Sequence, residues 1–580
     1  MASLITFLAS ASSPTPSSTY DAVFCPLCGR RADSALLALN RSLEPRITRI
    51  LREQHPHAEL ERGACPSCVL DAIHAARQRR HADSIHHELL LPYPVYSQDE
   101  TALLSTPYRL HAHPQFTGRG VVIAFLDSGF YPHPDLTQPY NRILAHIDAT
   151  TRVPVERPNF RRPALTSWHG MMTSCVAAGN GYLSDYTYRG IASDAQLVLV
   201  KTGNRRGRRI HEADIARALE WIILNQHRYN IRIVNISLGG DTPCNGELTA
   251  LDELVEEAVA RGMVVVCAAG NSGTEQLVPP ASAPSAITVG GLDDRNSLER
   301  AHHRLYHSNF GRGGNFVAKP ELIAPAMWLA APMLPHTSVY NEGQYLWKLA
   351  HASDVELKRL LKTRTAQRKF KKETLALPRA EIRRVIQARM IEQKYIHAYY
   401  QHVDGTSMAA PLVTSVIAQM LEANPTLTPL QVKQILTDTA RPLESFPRPP
   451  QGNGVLNAAR AVAYALRAPN GALEGKPLSP HIEDDAVSFV YYDAAASQVA
   501  LVGAWNGWKP HPHRLHERTP GVWELTIPRP APGTHPYKFL VTRANGDATT
   551  IAWVADPENS ERIEDGNGGF YSLLHLNRRA

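Results

Sequence analysis

Five apolar runs restrict the fold of this chain more than any other feature. They are VVIAFLD (121–127), QLVLVK (196–201), RIVNISL (232–238), MVVVCAA (263–269) and AITVGG (286–291). None alternates polar with apolar, so each strand needs cover on both faces. Two segments between them have helical periodicity, HEADIARALEWIILNQH (211–227) and LDELVEEAVARG (251–262). Two-sided strands joined by amphipathic helices make a parallel sheet with helices on both sides, a doubly wound α/β fold. The pattern occupies about 105–465.

At 580 residues the chain exceeds one ordinary domain. Residues 1–20 are rich in Ser, Thr and Pro, and disorder is expected there. Residues 21–104 hold two CxxC pairs, a helical stretch from Ser34 to Gln54, and a linker with Pro92 and Pro94. A Pro/Gly linker covers 466–485. In 486–577 short runs (VSFVYY, QVALVGAW, VWELTI, YKFLV, TIAWVA, YSLLHL) are separated by Gly, Pro and Asn, which reads as a small β-sandwich. No apolar run reaches the length of a membrane-spanning helix, so no membrane partner is expected. The opening MASLITFLASASS has a short apolar stretch with no basic residue before it, a poor secretory signal.

Net charge is 61 − 54 = +7. Between Asp354 and Lys394 there are 13 Lys/Arg against 5 Asp/Glu, a local +8, so the remainder is 7 − 8 = −1. The basic character belongs to one segment, and nucleic acid is not an expected partner of the whole chain. Within that segment Leu357, Leu360 and Leu361, and then Ile382, Val385 and Ile386, have helical spacing. Two amphipathic basic helices are predicted in an insertion at about 335–400. They read either as a solvated cap or as a lid or exosite that recruits acidic substrates or a partner.

In open parallel sheets, ligands bind beyond the carboxyl ends of the strands. Asp127 ends the first run, Ser237-Leu238-Gly239-Gly240 follows another, and Asn271 lies just past a third, in GMVVVCAAGNSG. Taken alone, Gly270-Asn271-Ser272-Gly273 is a turn. His169, in SWHGMMTSCVAAG, opens a small-residue segment that reads as a buried helix. Gly405-Thr406-Ser407-Met408-Ala409-Ala410-Pro411 precedes LVTSVIAQMLEA. Proline fits only where helix amides lack partners, so the helix is predicted to begin within about four residues before Pro411. Ser407 then sits at a helix N-terminus, which favours an anion. A serine, a histidine and a buried aspartate can together make an activated nucleophile.

The motifs LDSGFYPHPDL, HGMMTSCVAAG, NISLGG, CAAGNSG, PASAPSAITVGG, KPELIAPA and DGTSMAAP occur in this order. In them the chain resembles the subtilisin-like serine proteases, peptidase family S8. The resemblance implies a subtilisin-like sheet and a serine endopeptidase that acts on polypeptides. It also implies that Asp127, His169 and Ser407 are the triad, that Asn271 donates to the oxyanion, and that Ser237, Leu238 and Gly239 pair with an extended substrate. Relatives often carry calcium on loops, and no residue here is assigned to it. Met171 stands where the family usually has Thr, no inhibitor-type propeptide is recognisable, and the span from Pro325 to Gly405 is unusually long. The alternative function is an idle or occluded scaffold that binds partners through its accessory modules.

Cys25, Cys28, Cys65 and Cys68 form CxxC–x36–CxxC. Four thiolates on two knuckles suit structural zinc, and free or disulfide-bonded cysteines are the other reading. Cys175, Cys244 and Cys267 are scattered, which suits a reducing compartment. Cytoplasmic localisation is therefore slightly favoured, although the S8 family is commonly exported. In VALVGAWNGWKP, GVWELTIP, HPYKFLV and WVADPEN the last segment resembles carbohydrate-binding module family 48, an early-set β-sandwich. That resemblance implies an α-glucan partner held by Trp508, Lys538 and Trp553. Tyr571 stands where the family has asparagine, and the alternative is a sandwich whose tryptophans are only packed.

Overall fold

All five apolar runs are strands, and two further parallel strands join them, with two short antiparallel strands, Arg304–Leu305 and Val155–Glu156, at the margins of the sheet. In chain order the parallel strands are β1 (Val122–Asp127), β2 (Ile143–Asp148), β3 (Gln196–Lys201), β4 (Ile231–Ile236), β5 (Val264–Ala268), β6 (Ile287–Asp293) and β7 (Leu322–Pro325). They pair in parallel in the order β7-β6-β5-β4-β1-β3-β2. Every residue of β1 is buried, as its unbroken apolar run requires. On one face Val122, Ala124 and Leu126 share a core with Ile215, Leu219 and Ile222 of helix Glu212–Tyr229, and with Val255 and Ala258 of helix Ala250–Ala260. Other helices packed on the sheet are α1 (Ser167–Ala178), against β1, and α2 (Thr406–Ala423), against β4 to β7. Each fully buried Leu, Ile or Val is worth about 1.5–3 kcal/mol.

The computed structural model describes residues 23–32, 37, 43, 45–65, 68–69 and 71–72, then 103–467 and 479–576 apart from short breaks. The expected disorder of 1–20, the linker at Pro92 and Pro94, much of the first part of the Ser34–Gln54 helix and most of the 466–485 linker lie outside the described residues. The chain forms two units, Leu91–Ala472 and Met1–Leu90 with Leu473–Ala580. Among the described residues no helix is long and apolar enough to cross a membrane.

The insertion departs from the two-helix expectation. It contains five helices, Ser338–His351, Asp354–Leu361, Arg364–Lys369, Lys372–Leu375 and Arg379–Glu392. Single capping residues interrupt what reads as continuous helix: the Ser353 hydroxyl accepts from the Glu356 amide and the Thr363 hydroxyl from the Ala366 amide. Leu346, Leu349, Leu357, Phe370, Ile382 and Ile386 give the insertion its own core. Part of its positive charge is neutralised within it, where Arg379 and Arg383 pair with Asp354, and Lys369 and Arg389 with Glu342.

In the other unit, the C-terminal segment is a sandwich of two antiparallel sheets. One orders His481–Ile482, Ala486–Tyr492, Val522–Pro528 and His516–Thr519. The second orders Ala496–Gly503, Gly533–Asn545, Phe570–Leu576 and Arg562–Glu564, with Ala548–Val554 also on Gly533–Asn545. Val487, Phe489, Val499, Leu501, Phe539 and Leu574 fill the space between the sheets. In the N-terminal part, Val23–Phe24 pairs with Arg31–Ala32 around the first cysteine knuckle, and the described part of the expected helix is Pro45–Gln54.

Candidate active site

Leu126 of β1 lies beside Ile236 of β4, and Ile236 beside Cys267 of β5. The next residues, Asp127 and Ser237, and then Asn271 beyond β5, therefore leave the sheet along one edge. The Asp127 side chain is 1% exposed and fully engaged. Its Oδ1 accepts from His169 Nδ1 at 2.8 Å and from the Ser128 amide at 2.6 Å, and its Oδ2 accepts from Thr173 Oγ1 at 3.0 Å. Burial by itself would lower the His169 pKa. The Asp127 charge and hydrogen bond outweigh it and hold the imidazole above its ordinary value. His169 is the third residue of α1, and Thr173, one turn further along, shares its face.

Ser407 is the second residue of α2, which begins at Thr406, one residue earlier than expected. Pro411 consequently falls in the second turn and deprives the Ser407 carbonyl of its helical donor. The Ser237 hydroxyl fills that place and donates to the carbonyl at 3.0 Å. The Ser407 hydroxyl points towards the Ser237 carbonyl, 3.4 Å away. Among the described residues no hydrogen bond joins His169 to Ser407. Leu238 and Gly239 continue from the end of β4 and are half-buried.

Asn271 is exposed, and its amide orientation is fixed. The Thr406 amide donates to its Oδ1 at 2.8 Å and the Thr406 hydroxyl at 3.0 Å. A main-chain N–H can only donate, so the atom facing it must be oxygen, and the Asn271 NH2 group is turned outward. Gly405 has φ +132°, a backbone conformation in which an L side chain would be strained, and so carries the chain into α2 beside the Asn271 amide. Beside His169 the exposed Trp168 ring stands edge-on at 5.2 Å. Met171 is completely buried.

Sequence reasoning missed Thr173 and Thr406. Both orient a candidate site residue without standing at a strand end. Thr173 had a signal, a hydroxyl four residues after His169 on one helix face. Thr406 had none apart from adjacency to Ser407.

The four N-terminal cysteines converge. Sγ of Cys65 is 3.7 Å from that of Cys28 and 3.6 Å from that of Cys68, and the Cys65 amide donates to Cys25 Sγ at 3.3 Å. A tetrahedron with Zn–S of 2.3 Å has S···S edges of about 3.8 Å, whereas a disulfide is about 2.05 Å. All four thiols are free. The thiols of Cys65 and Cys68 donate to Cys25 and hold it well below the usual thiol range. In return Cys65 is pushed up to about 12, and Cys68 is raised by Cys25 and Cys65. Four thiolates need a cation, and this donor set fits one. Among the described residues one other cluster, His133, Asp135 and Cys175, brings three ligand types together. Both carboxylate oxygens of Asp135 already accept from the Tyr400 hydroxyl, and calcium gains no residue there.

Of the side chains expected to hold a sugar, Trp508 and Lys538 are buried and Trp553 is half-buried. Trp508 is 5% exposed and lies against Tyr571, and Lys538 is 7% exposed and paired with Asp565. Trp553 packs against the same cluster.

An Asp–His pair stands at the carboxyl edge of a sheet whose central strands are parallel. The subtilase family model (Peptidase_S8) matches residues 118–462, and the chain belongs to that family and with it to the serine endopeptidases. A second model, carbohydrate-binding module 48 (isoamylase N-terminal domain), matches residues 477–558. Serine protease AprX of Bacillus subtilis (strain 168) is 29% identical over 360 residues, covering 60% of this chain and 67% of that protein. Subtilisin BL of Lederbergia lenta is 25% identical over 345 residues, covering 60% of this chain and 91% of its own. Among solved structures, the prenylagaramide maturation protease PagA is 19% identical, with a TM-score of 0.39 over 62% of this chain and 96% of that one.

Proposed function

We propose that the protein cleaves polypeptides through an acyl-enzyme formed on Ser407. His169, oriented by Asp127 at 2.8 Å, is the observation that carries this reading. With Nδ1 donating to Asp127, Nε2 is the basic nitrogen, and it takes the Ser407 hydroxyl proton as Oγ attacks the scissile carbonyl. The developing oxyanion receives the Asn271 NH2 and the Ser407 N–H at the start of α2. His169 then gives the proton to the leaving amine, and water repeats the sequence to release the acyl group. Ser237, Leu238 and Gly239 supply an edge for an extended substrate. The Ser407–His169 hydrogen bond forms as substrate closes the site, since such bonds are often loose in free enzymes.

Cys25, Cys28, Cys65 and Cys68 hold a structural zinc, whose charge would keep all four sulfurs as thiolates with no open position for catalysis. Glycan tethering through Trp508, Lys538 and Trp553 is not part of this reading, because Trp508 and Lys538 are buried and Trp553 is half-buried. Labelling by a fluorophosphonate tests the reading. It should label the wild type, vanish in Ser407→Ala and slow in Asn271→Ala. Equal labelling of wild type and Ser407→Ala would end it.

A further inference from the structure

A β-sandwich strand with one face in water alternates buried and exposed residues. Two strands of the second sheet do not. Along Phe570–Leu576, Leu574 and Leu576 enter the sandwich core, while Tyr571 and Leu573 enter a separate cluster on the opposite face. Along Ala496–Gly503, Val499 and Leu501 enter the first and Val502 the second. The second cluster is completed from the other end of the chain, by Ile47, Ile50 and Leu51 of helix Pro45–Gln54 and by Ala64, Val69 and Ala72 around the second cysteine knuckle. Gly566 marks how close the approach is. A Cβ there would come within 2.9 Å of Val69 and 3.7 Å of Ile47. The polar groups of the face are also used internally, with Lys538 paired to Asp565 and 4.8 Å from the Tyr571 ring centre.

We infer that this face, the counterpart of a sugar platform, is a protein-docking surface whose occupant is the chain's own four-cysteine module, and that metal at the cysteines keeps the module docked. The metal part rests on the zinc assignment above, and the docking part does not. The cluster residues Ala64 and Val69 directly flank the knuckle cysteines, Ala64 before Cys65 and Val69 after Cys68. Without a cation the cysteine sulfurs would separate, and the apolar residues that flank them would lose their fixed position.

Hydroxyl-radical footprinting of the full chain, read by mass spectrometry, tests this. Three samples are compared: zinc-loaded, chelated and desalted, and Ile47→Asp with its zinc content measured. Trp523, buried within the sandwich core, is the internal control. In the loaded chain Trp508 and Tyr571 should oxidise as slowly as Trp523. Chelation and Ile47→Asp should each raise Trp508 and Tyr571 at least five-fold and leave Trp523 unchanged. Unchanged Trp508 and Tyr571 in Ile47→Asp, or Trp523 rising in step with them, would overturn the docking surface. So would retention of the loaded chain on amylose, which requires an open platform. A chain without zinc that still shows the Ile47→Asp rise would remove the metal and keep the docking surface.

Discussion

The Ser237 hydroxyl donates to the Ser407 carbonyl at 3.0 Å, where residue 411 would donate if it were not proline. This bond ties the end of β4 to the start of α2 and sets the height of Ser407 above the sheet. Ser237→Ala would orphan a partly buried carbonyl at a cost of about 1–3 kcal/mol. Thermal unfolding should record that loss, together with slower fluorophosphonate labelling. Pro411→Ala in the Ser237→Ala background restores a main-chain donor and should recover most of it. No recovery would mean that the bond is incidental.

The raised pKa of His169 gives the pH profile its sign. The general base must be neutral, so kcat/KM should fall as pH drops through a value above 6.5. The proton bound to folded His169 also adds stability, which is fully present below about pH 6.5 and is lost as pH rises through the raised value. Asp127→Asn removes the charge and should move the acidic limb to lower pH, with a loss in kcat on the order of 10⁴-fold. A profile that stays in place would exclude His169 as the base.

Asn271→Ala should cost about 10²–10³ in kcat with little change in KM, because the oxyanion exists only along the reaction path. Thr406→Val removes one of the two donors that hold Asn271 Oδ1 and should cost about ten-fold or less. The same order of effects in steady-state kinetics is the check. An Asn271→Ala effect confined to KM would place the amide in ground-state binding.

Elemental analysis should find one zinc per chain, lost in Cys25→Ser and Cys68→Ser. Ser407 lies in the other unit, so its labelling rate should change less than about two-fold in those variants. A large loss of labelling would mean that the cysteine module controls the site.

The apolar runs make the sheet legible, because a strand that carries no polar face has to be covered twice. The polar residues that end β1 and follow β4 and β5 are legible as one edge for the same reason. Helix phasing was less so. Pro411 was expected within the first turn, and the hydroxyl that excuses it one turn deeper comes from Ser237, 170 residues before Ser407. In the insertion Ser353 and Thr363 open short helices that the Leu357 and Ile382 spacings do not mark, since capping acts at single residues and periodicity averages over many.

By itself the sequence determined which segments are two-sided strands, which residues leave them at the carboxyl edge, and that four cysteines come as two knuckles. These follow from local pattern, because burial period and turn chemistry are written along a few residues. Only the tertiary structure decided that Thr406 turns the Asn271 amide outward, that Ser237 completes the helix of Ser407, and that helix Pro45–Gln54 covers Trp508 and Tyr571. Each of those depends on groups far apart in the chain meeting at contact distance, and a tryptophan in a strand has the same local pattern whether sugar, solvent or another part of the chain lies on it.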